Sequence, residues 1–379
     1  EFGNFSSKRF EGMINIPLVD DWLDLRAAGE WTKRNGYSLN EQTGSDIDGR
    51  DLWSGRLSIG LHPTDHLQAY LIWEHFSESD DRLRSGKQLC NTAPIPLSVG
   101  GQPVPQVVNG SALLGGLGSY LSQGCQMGSL YDAGAYGVPD GYSLPYYTIA
   151  NFAHLVTNVN PYLSDTQTPD LRVINTQLTP AYKAKNDTVE LNADYQITPT
   201  LTFTSETGFN NDFLWSTEDY NRFASSPGVF NKNSNGLTDA NGVFCDPQLG
   251  CSDKIVAEDL SEEHSWQASQ EFRLSSHFSG PFNFSVGGNY LHYETEENYY
   301  VFINTLTAFA WSEGGSRAGR GNWTPGVSDN SQCLSRYGGF KWRDPALGGG
   351  DPELNACVYI HPNPISSLNN NGHNYFLSQ

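Results

Sequence analysis

Apolar and polar residues alternate along eight segments of the chain, and this alternation predicts β-strands. In residues 9–18, for example, Phe10, Ile14 and Ile16 alternate with polar neighbours. Because successive side chains of a strand point to opposite faces, each such segment should have one apolar and one polar face. The other seven segments are 23–32, 53–62, 67–74, 189–197, 201–210, 266–274 and 282–290.

The eight segments form four hairpins, joined within each hairpin by a short turn and between hairpins by longer connections. Short turns at one rim and long loops at the other are typical of an outer-membrane β-barrel, with apolar residues facing lipid and polar residues facing the lumen. We therefore predict an all-β fold, an antiparallel up-and-down transmembrane β-barrel of about eight strands. Its long extracellular loops should cover about 79–186, 214–264 and 299–372.

A soluble all-β protein is the alternative, because a β-sandwich also alternates with period two. Such a protein does not readily give four successive hairpins separated by much longer connections. Aromatic residues also lie near the strand ends, as in the girdles at a membrane interface, among them Trp31, Trp53, Trp73 and Trp266.

Composition agrees with a barrel wall rather than a protein with a large core. The 379 residues are 37% hydrophobic and 12% aromatic, and the net charge is −20. Where lipid surrounds the wall, only alternate residues of each strand need to be apolar. No apolar run is long enough for a transmembrane helix. The negative charge argues against nucleic-acid binding, and the aromatic content argues against a disordered chain.

Six cysteines lie in polar stretches outside the alternating segments. Their positions along the chain favour the pairs Cys90–Cys125, Cys245–Cys251 and Cys333–Cys357, although the sequence alone permits other connectivities. A zinc site is the alternative, but CxxC pairs and nearby histidines at zinc-finger spacing are absent. We therefore predict disulfides in an oxidising compartment, with no metal site and no cofactor.

Two sets of residues are candidates for function, one on the strands and one in the loops. The charged strand residues should line the lumen or contact a plug: Arg9, Glu11, Arg26, Glu30, Arg56, Glu74, Glu190, Asp194, Glu206, Glu271 and Arg273. Loop aromatics can stack on sugars or aromatic siderophores, although packing within the loop is the alternative for any one ring. The ligand-contact candidates are Tyr131, Tyr136, Tyr142, Tyr146, Tyr147, Trp311, Trp323, Trp342 and Arg343.

The sequence carries no GxSxG, HExxH or phosphate-loop motif, so we do not predict an enzyme. A membrane-embedded hydrolase is an alternative hypothesis, but it would need a catalytic constellation, and the sequence offers no convincing one.

The first hairpins carry motifs of a known family. Residues 10–40 contain Asn15, Pro17 and Leu18 at a turn entry, then Leu23, Leu25 and Arg26 in a strand, then Gly36 and Tyr37 before a loop. This stretch resembles the early barrel strands of TonB-dependent outer-membrane receptors, and residues 53–76 look like the next hairpin of that family. The resemblance extends over all eight strands but is specific only in about the first 80 residues.

The resemblance implies that residues 1–379 are part of a 22-stranded barrel, from about the second to the ninth strand. It further implies the outer membrane of a Gram-negative bacterium, with membrane lipid, a plug domain and the TonB energy-coupling complex as partners. The expected function is energised uptake of a scarce small-molecule ligand, first a ferric siderophore and next a carbohydrate or other small nutrient. An anionic chelate would be favoured by basic loops, and these loops are not basic, so their charge slightly favours a neutral or sugar-like ligand. A passive porin-like channel or a small structural barrel is the alternative.

Overall fold

The computed structural model describes residues 1–93, 96–104, 122–152, 154–157, 159–162, 165–234 and 237–309, and its main element is a nine-stranded antiparallel sheet. The eight long strands are β1 (Ser7–Val19), β2 (Leu23–Arg34), β3 (Arg50–Thr64), β4 (Leu67–Asp80), β5 (Ala181–Thr198), β6 (Leu201–Asp219), β7 (Ala257–Ser276) and β8 (Ser285–Ile303). Each strand pairs with its neighbours in chain order, and the short strand Phe2–Gly3 pairs with β1. The predicted all-β, antiparallel up-and-down architecture is confirmed.

Several strands are longer than the alternation predicts. β5 begins at Ala181, β6 continues to Asp219 and β7 begins at Ala257, so the predicted loops 79–186 and 214–264 shorten to 81–180 and 220–256. In these extensions both faces carry polar residues, so backbone pairing continues while the sequence pattern that reveals a strand is lost. At the opposite rim β8 begins at Ser285, so Phe282 lies in the turn rather than in the strand.

The register of the sheet defines an apolar face and a polar face. Directly paired residues share a face, so one row of neighbours can be followed across all eight strands. A representative row of the apolar face is Ile14, Ala27, Leu57, Trp73, Val189, Phe209, Ala268 and His292. Large residues of this face are exposed, for example Ile14 at 56% and Leu191 at 42%. We call this exposed set the apolar belt.

The connections at one rim fold together into a small unit that we call the cap, made of the described residues of 35–49, 81–180 and 220–256. Its paired short strands are Ser38–Asn40 with Ser45–Ile47 and Val173–Ile174, Asn91–Thr92 with Cys125–Gln126, Ser98–Val99 with Gln102–Pro103, and Phe244–Asp246 with Gly250–Ser252. Helix α1 (Pro145–Phe152) and the 3-10 turns Ala133–Ala135 and Gly141–Ser143 complete it. No helix in the described part of the chain is long and apolar enough to cross a membrane.

The hydrophobic core lies in the cap and at its junction with β7 and β8, rather than in the sheet. Leu155, Phe230 and Phe244 are each at most 1% exposed, and they join Ala257 of β7 and Ile303 of β8 in one cluster. The cap therefore has what the sheet lacks, a close-packed interior of its own.

Two disulfides lie in the cap. The bonds Cys90–Cys125 and Cys245–Cys251 confirm two of the predicted pairs. The third predicted pair, Cys333 and Cys357, lies outside the described residues.

Candidate functional site

The structure brings all eleven predicted lumen residues onto the polar face. The register pairs Glu11 with Glu30, Arg56 with Glu74 and Glu206 with Glu271 on neighbouring strands. The remaining members, Arg9, Arg26, Glu190, Asp194 and Arg273, occupy positions of the same face. Strand alternation is thus sufficient to place these side chains together.

On β1 to β4, positive and negative groups of the polar face are matched. Arg9 Nη2 lies 3.0 Å from both Glu11 Oε2 and Glu30 Oε2. Arg56 Nε lies 2.9 Å from Glu74 Oε1. The four other side chains, those of Glu11, Glu30, Arg56 and Glu74, line an open groove of ≈ 710 Å³. The charged side chains are about one-third to two-thirds exposed, so each ion pair contributes about 0–1 kcal/mol to the stability of the fold. The groove therefore offers hydrogen-bond donors and acceptors to a ligand or partner, and its ion pairs add little to stability.

On β5 to β8 the polar face is strongly acidic. Its single arginine, Arg273, lies 3.3 Å from Glu206 and 3.7 Å from Glu271. Nine carboxylates occupy this half of the face: Glu190, Asp194, Glu206, Asp212, Glu218, Asp259, Glu263, Glu271 and Glu297. Such a surface attracts cations and repels anions, with an effect that grows in a confined lumen.

A segment that we call the strap, residues 81–88, leaves β4 and crosses the upper end of the polar face. The Arg82 guanidinium lies 3.6 Å from the centre of the Tyr182 ring on β5 and 3.2 Å from Glu78. Backbone N–H groups of Arg84 and Ser85 donate to Glu218 Oε2 at 3.1 and 3.2 Å. The strap therefore contacts three successive strands.

The strap reaches a fourth strand through the Arg84 side chain, which pairs with Asp259 of β7 and donates to Ser261 Oγ at 3.3 Å. Arg222 of the cap pairs with Glu218 and lies 3.8 Å from Asp259. The side chains of Glu218 and Asp259 are each only 3% exposed. Buried carboxylates need such cationic partners, because desolvation alone would make their charge costly.

Sequence reasoning does not identify this network. Its members are far apart in the chain, Arg84 and Asp259 being 175 positions apart. The sequence feature that points to such a network is the pair Arg82 and Arg84 directly after a strand, in a chain with only 22 Lys and Arg residues.

The loop tyrosines do not all occupy the same kind of position. Tyr131 is 98% exposed, and Tyr136 donates its hydroxyl hydrogen to the Leu130 carbonyl at 2.9 Å. Tyr142 is partly buried against the core of the cap. Tyr131 is therefore the most accessible of these three rings, because Tyr136 and Tyr142 are both half-buried.

Two of the predicted ligand contacts are core residues instead. Tyr146 and Tyr147 are 8% and 0% exposed and belong to the core cluster of the cap. The Tyr147 hydroxyl donates to the carbonyls of Thr157 and Val159, each at 2.6 Å. Burial raises the pKa of Tyr147 to about 12 and that of Tyr146 still further. Neither ring has a free face for a ligand in this conformation.

The remaining loop candidates, Trp311, Trp323, Trp342 and Arg343, lie outside the described residues. In the part of the chain that the structure describes, no group of three or more His, Cys, Asp or Glu side chains is arranged to hold a metal ion.

Comparisons with known proteins give structural similarities only. No protein-family profile and no curated protein matches the sequence. The fold is similar to the ferric yersiniabactin uptake receptor FyuA from Yersinia pestis, at 11% identity and a TM-score of 0.33, over 79% of this chain and 39% of that one. It is also similar to BauA, the ferric preacinetobactin receptor from Acinetobacter baumannii, at 9% identity and a TM-score of 0.37, over 79% and 30%.

A third similar structure is the RagAB peptide importer, at 10% identity and a TM-score of 0.32, over 77% of this chain and 29% of that one. All three are TonB-dependent receptors, the family that the sequence motifs resemble. The chain spans less than half the length of these structures.

Proposed function

We propose that the chain forms part of the wall and the extracellular cap of an outer-membrane receptor for energised uptake of a scarce small molecule. The observation that carries this proposal is the two-faced sheet. One face is an exposed apolar belt and the other holds paired and unpaired charges, while the loops at one rim fold into a cap.

The apolar belt has the height expected for contact with lipid. On β5 it runs from Val189 to Ile197, and its large side chains, those of Val189, Leu191, Tyr195 and Ile197, are exposed. Nine residues at ~3.3 Å each extend about 30 Å along the strand, or about 23 Å in height at a tilt of ~40°, close to the ~25 Å apolar band of outer-membrane barrels. The sheet lies in the outer membrane of a Gram-negative bacterium under this proposal, and its polar face meets water or a plug domain.

The ligand proposal combines the family resemblance with the charge of the polar face. The sequence motifs favour a ferric siderophore first, and a carbohydrate or other small nutrient second. The acidic half of the face, on β5 to β8, favours a complex of neutral or positive charge over a strongly anionic one. Among the ligand-contact candidates in the described residues, the ring of Tyr131 is exposed and those of Tyr136 and Tyr142 are half-buried.

Growth and uptake assays test this function. A strain lacking the gene is grown under iron limitation with defined ferric siderophores of different net charge, and separately on defined oligosaccharides. Complementation with the wild-type gene should restore uptake of one of these classes.

Energy dependence separates a receptor from a channel. The restored uptake is expected to stop when the inner-membrane coupling complex is deleted or a protonophore is added. Uptake that continues unchanged under both treatments would instead support the passive porin-like alternative.

A further inference from the structure

Two lysines stand on the apolar face of the sheet, above the apolar belt. Lys183 and Lys185 are two residues apart on β5 and both are exposed. Alternation places them on the same face as Val189 and Leu191 of the belt. They are on the side of the wall that faces away from the charges of the lumen.

Their neighbours on the adjacent strands are hydroxyl and aromatic side chains. The register places Ser79 and Ser77 of β4 opposite Lys183 and Lys185. On β6 the opposite residues are Trp215 and Phe213, and Lys183 Nζ lies 4.7 Å from the centre of the Trp215 ring. The Lys183 ammonium group thus lies beside an aromatic ring, and Lys185 has a serine and a phenylalanine as its register neighbours. Across the described register no carboxylate is directly paired with either lysine.

Lys33, on the same face of β2, is a natural contrast. Its Nζ lies 2.6 Å from Asp51 Oδ2, so this ammonium group already has an anionic partner within the sheet. The ammonium groups of Lys183 and Lys185 can instead pair with an anion from outside the protein.

The position of the lysines relative to the belt indicates what that anion is. Asp187, just below them, accepts from Trp73 Nε1 at 3.1 Å and lies 2.8 Å from His75 Nδ1, and this aromatic row is the upper edge of the belt. Two further residues along a strand rise ~6.6 Å, and four rise ~13 Å. In a strand tilted by about 40° this puts both ammonium groups at the level of lipid headgroups.

We propose that Lys183 and Lys185 bind a phosphate group of an outer-leaflet glycolipid, with the Ser77 and Ser79 hydroxyls as additional donors. This inference rests on the proposed outer-membrane location of the sheet. Ammonium groups are strong point charges for phosphate, and juxtamembrane lysines are recurrent sites for anionic headgroups. Such contacts fix the height and rotation of this part of the wall in the membrane.

The test measures lipid binding to the intact protein purified in a non-ionic detergent. The probes are diphosphorylated lipid A, the same lipid with both phosphates removed, and inorganic phosphate. Dissociation constants are obtained by native mass spectrometry for the wild type, for Lys183→Ser with Lys185→Ser, and for Lys33→Ser as the matched control.

The wild type is expected to bind diphosphorylated lipid A at least about 10-fold more tightly than the dephosphorylated lipid, a difference of ~1.4 kcal/mol. The double variant should lose this preference, while Lys33→Ser should keep it within about twofold. Replacement of both lysines by arginine should also keep it. Equal binding of the two lipids by the wild type, or an unchanged preference in the double variant, would overturn the proposal. Competition by inorganic phosphate at equal concentration would also overturn it, because the site would then recognise free phosphate.

A separate measurement distinguishes this failure from failure of the proposed function. Wild-type and variant proteins are followed by outer-membrane fractionation and heat-modifiable migration. If they reach the outer membrane and fold but show no phosphate preference, only the lipid site is wrong. If the wild type is absent from the outer membrane, the proposed function fails with it.

Discussion

The cap and its contact with the sheet use the same residue types in the opposite way from the open polar face of β1 to β4. Tyr147 in the core of the cap, and Glu218 and Asp259 beneath the strap on β6 and β7, are at most 3% exposed, and every one has a specific polar partner. On the open polar face, Arg9 and Arg56 are 40% and 51% exposed and pair with carboxylates that are also open to solvent. The cap is a folded unit attached to the sheet, whereas the polar face is a surface available to water, ligand or a partner domain.

The difference has an energetic basis. A buried carboxylate that loses its cationic partner retains the full cost of desolvation, so removing that partner costs about 3–5 kcal/mol. An exposed pair costs little to break, because water replaces the lost partner. Substitutions in the cap should therefore have large effects on its stability, and matched substitutions on the polar face should have small ones.

The largest expected effect comes from the disulfide Cys90–Cys125, which joins residues 35 positions apart. Replacing both cysteines by alanine releases a loop-closure constraint of about 4 kcal/mol. Hydrogen exchange of cap amides in the intact protein should show a corresponding increase in local opening.

The disulfide Cys245–Cys251 is the matched control, since it spans only 6 positions. Its removal should cost about 2 kcal/mol by the same relation. Equal losses of stability in the two double variants would show that the stabilisation by Cys90–Cys125 does not depend on the length of the loop that it closes.

Next in size is the strap. Among the described residues, Arg84→Ala leaves the buried Asp259 with the Tyr299 hydroxyl at 3.2 Å and the more distant Arg222 as partners. We expect a loss of about 3 kcal/mol in the free energy that holds the cap on the sheet. Limited proteolysis of the intact protein should show faster cleavage in the connection 81–180.

Arg56→Ala is the control for the strap, because it removes a similar cation from the polar face. Its pair with Glu74 is about half exposed on both sides, so the expected change is within about 1 kcal/mol. If Arg56→Ala loosens the cap as much as Arg84→Ala, the contrast between the two regions is wrong.

A smaller effect concerns Asp165 of the cap. Burial raises the pKa of this carboxyl to about 6, and it accepts hydrogen bonds from Thr166 N at 3.0 Å and from the Asn175 amide. An acid whose pKa is higher in the folded state binds more protons there, so the stability of the cap should fall as pH rises from about 4 to about 6. Asp165→Asn should remove this dependence.

At pH 7 the same substitution should stabilise the cap by about 1–2 kcal/mol, allowing for partial exposure of the side chain. The measurement is hydrogen exchange of cap amides at a series of pH values, corrected for intrinsic exchange. Asp132→Asn is a suitable control, because this residue is exposed at the start of a 3-10 turn. A pH dependence that persists in Asp165→Asn would assign it to another group.

The strands and their faces could be predicted from the sequence because they follow from local alternation. Residues such as Arg56 and Glu74 need only the two strands of their own hairpin to be placed on one face. The disulfides Cys90–Cys125 and Cys245–Cys251 could also be predicted, because both cysteines of each pair lie within one connection.

The cap could not be predicted in the same way because its contacts join distant parts of the chain. Nothing local distinguishes the exposed Tyr131 from the buried Tyr147, although both are tyrosines of the same connection. The partner of Asn40 is Thr176, 136 positions away, and this contact ties the first connection to the second. Burial is decided by such long-range packing, which alternation does not encode.

The central claim is that the apolar belt faces lipid while the polar face looks into the lumen. It is tested most directly by fluorescent labels on single cysteines at Leu191 and Asn192, adjacent residues of β5 on opposite faces. In the intact protein in native membranes, quencher-labelled lipid should quench the label at position 191 several-fold more than the label at 192. A water-soluble quencher should show the reverse order. Equal access of the water-soluble quencher to both labels, or lipid quenching strongest at position 192, would contradict the account.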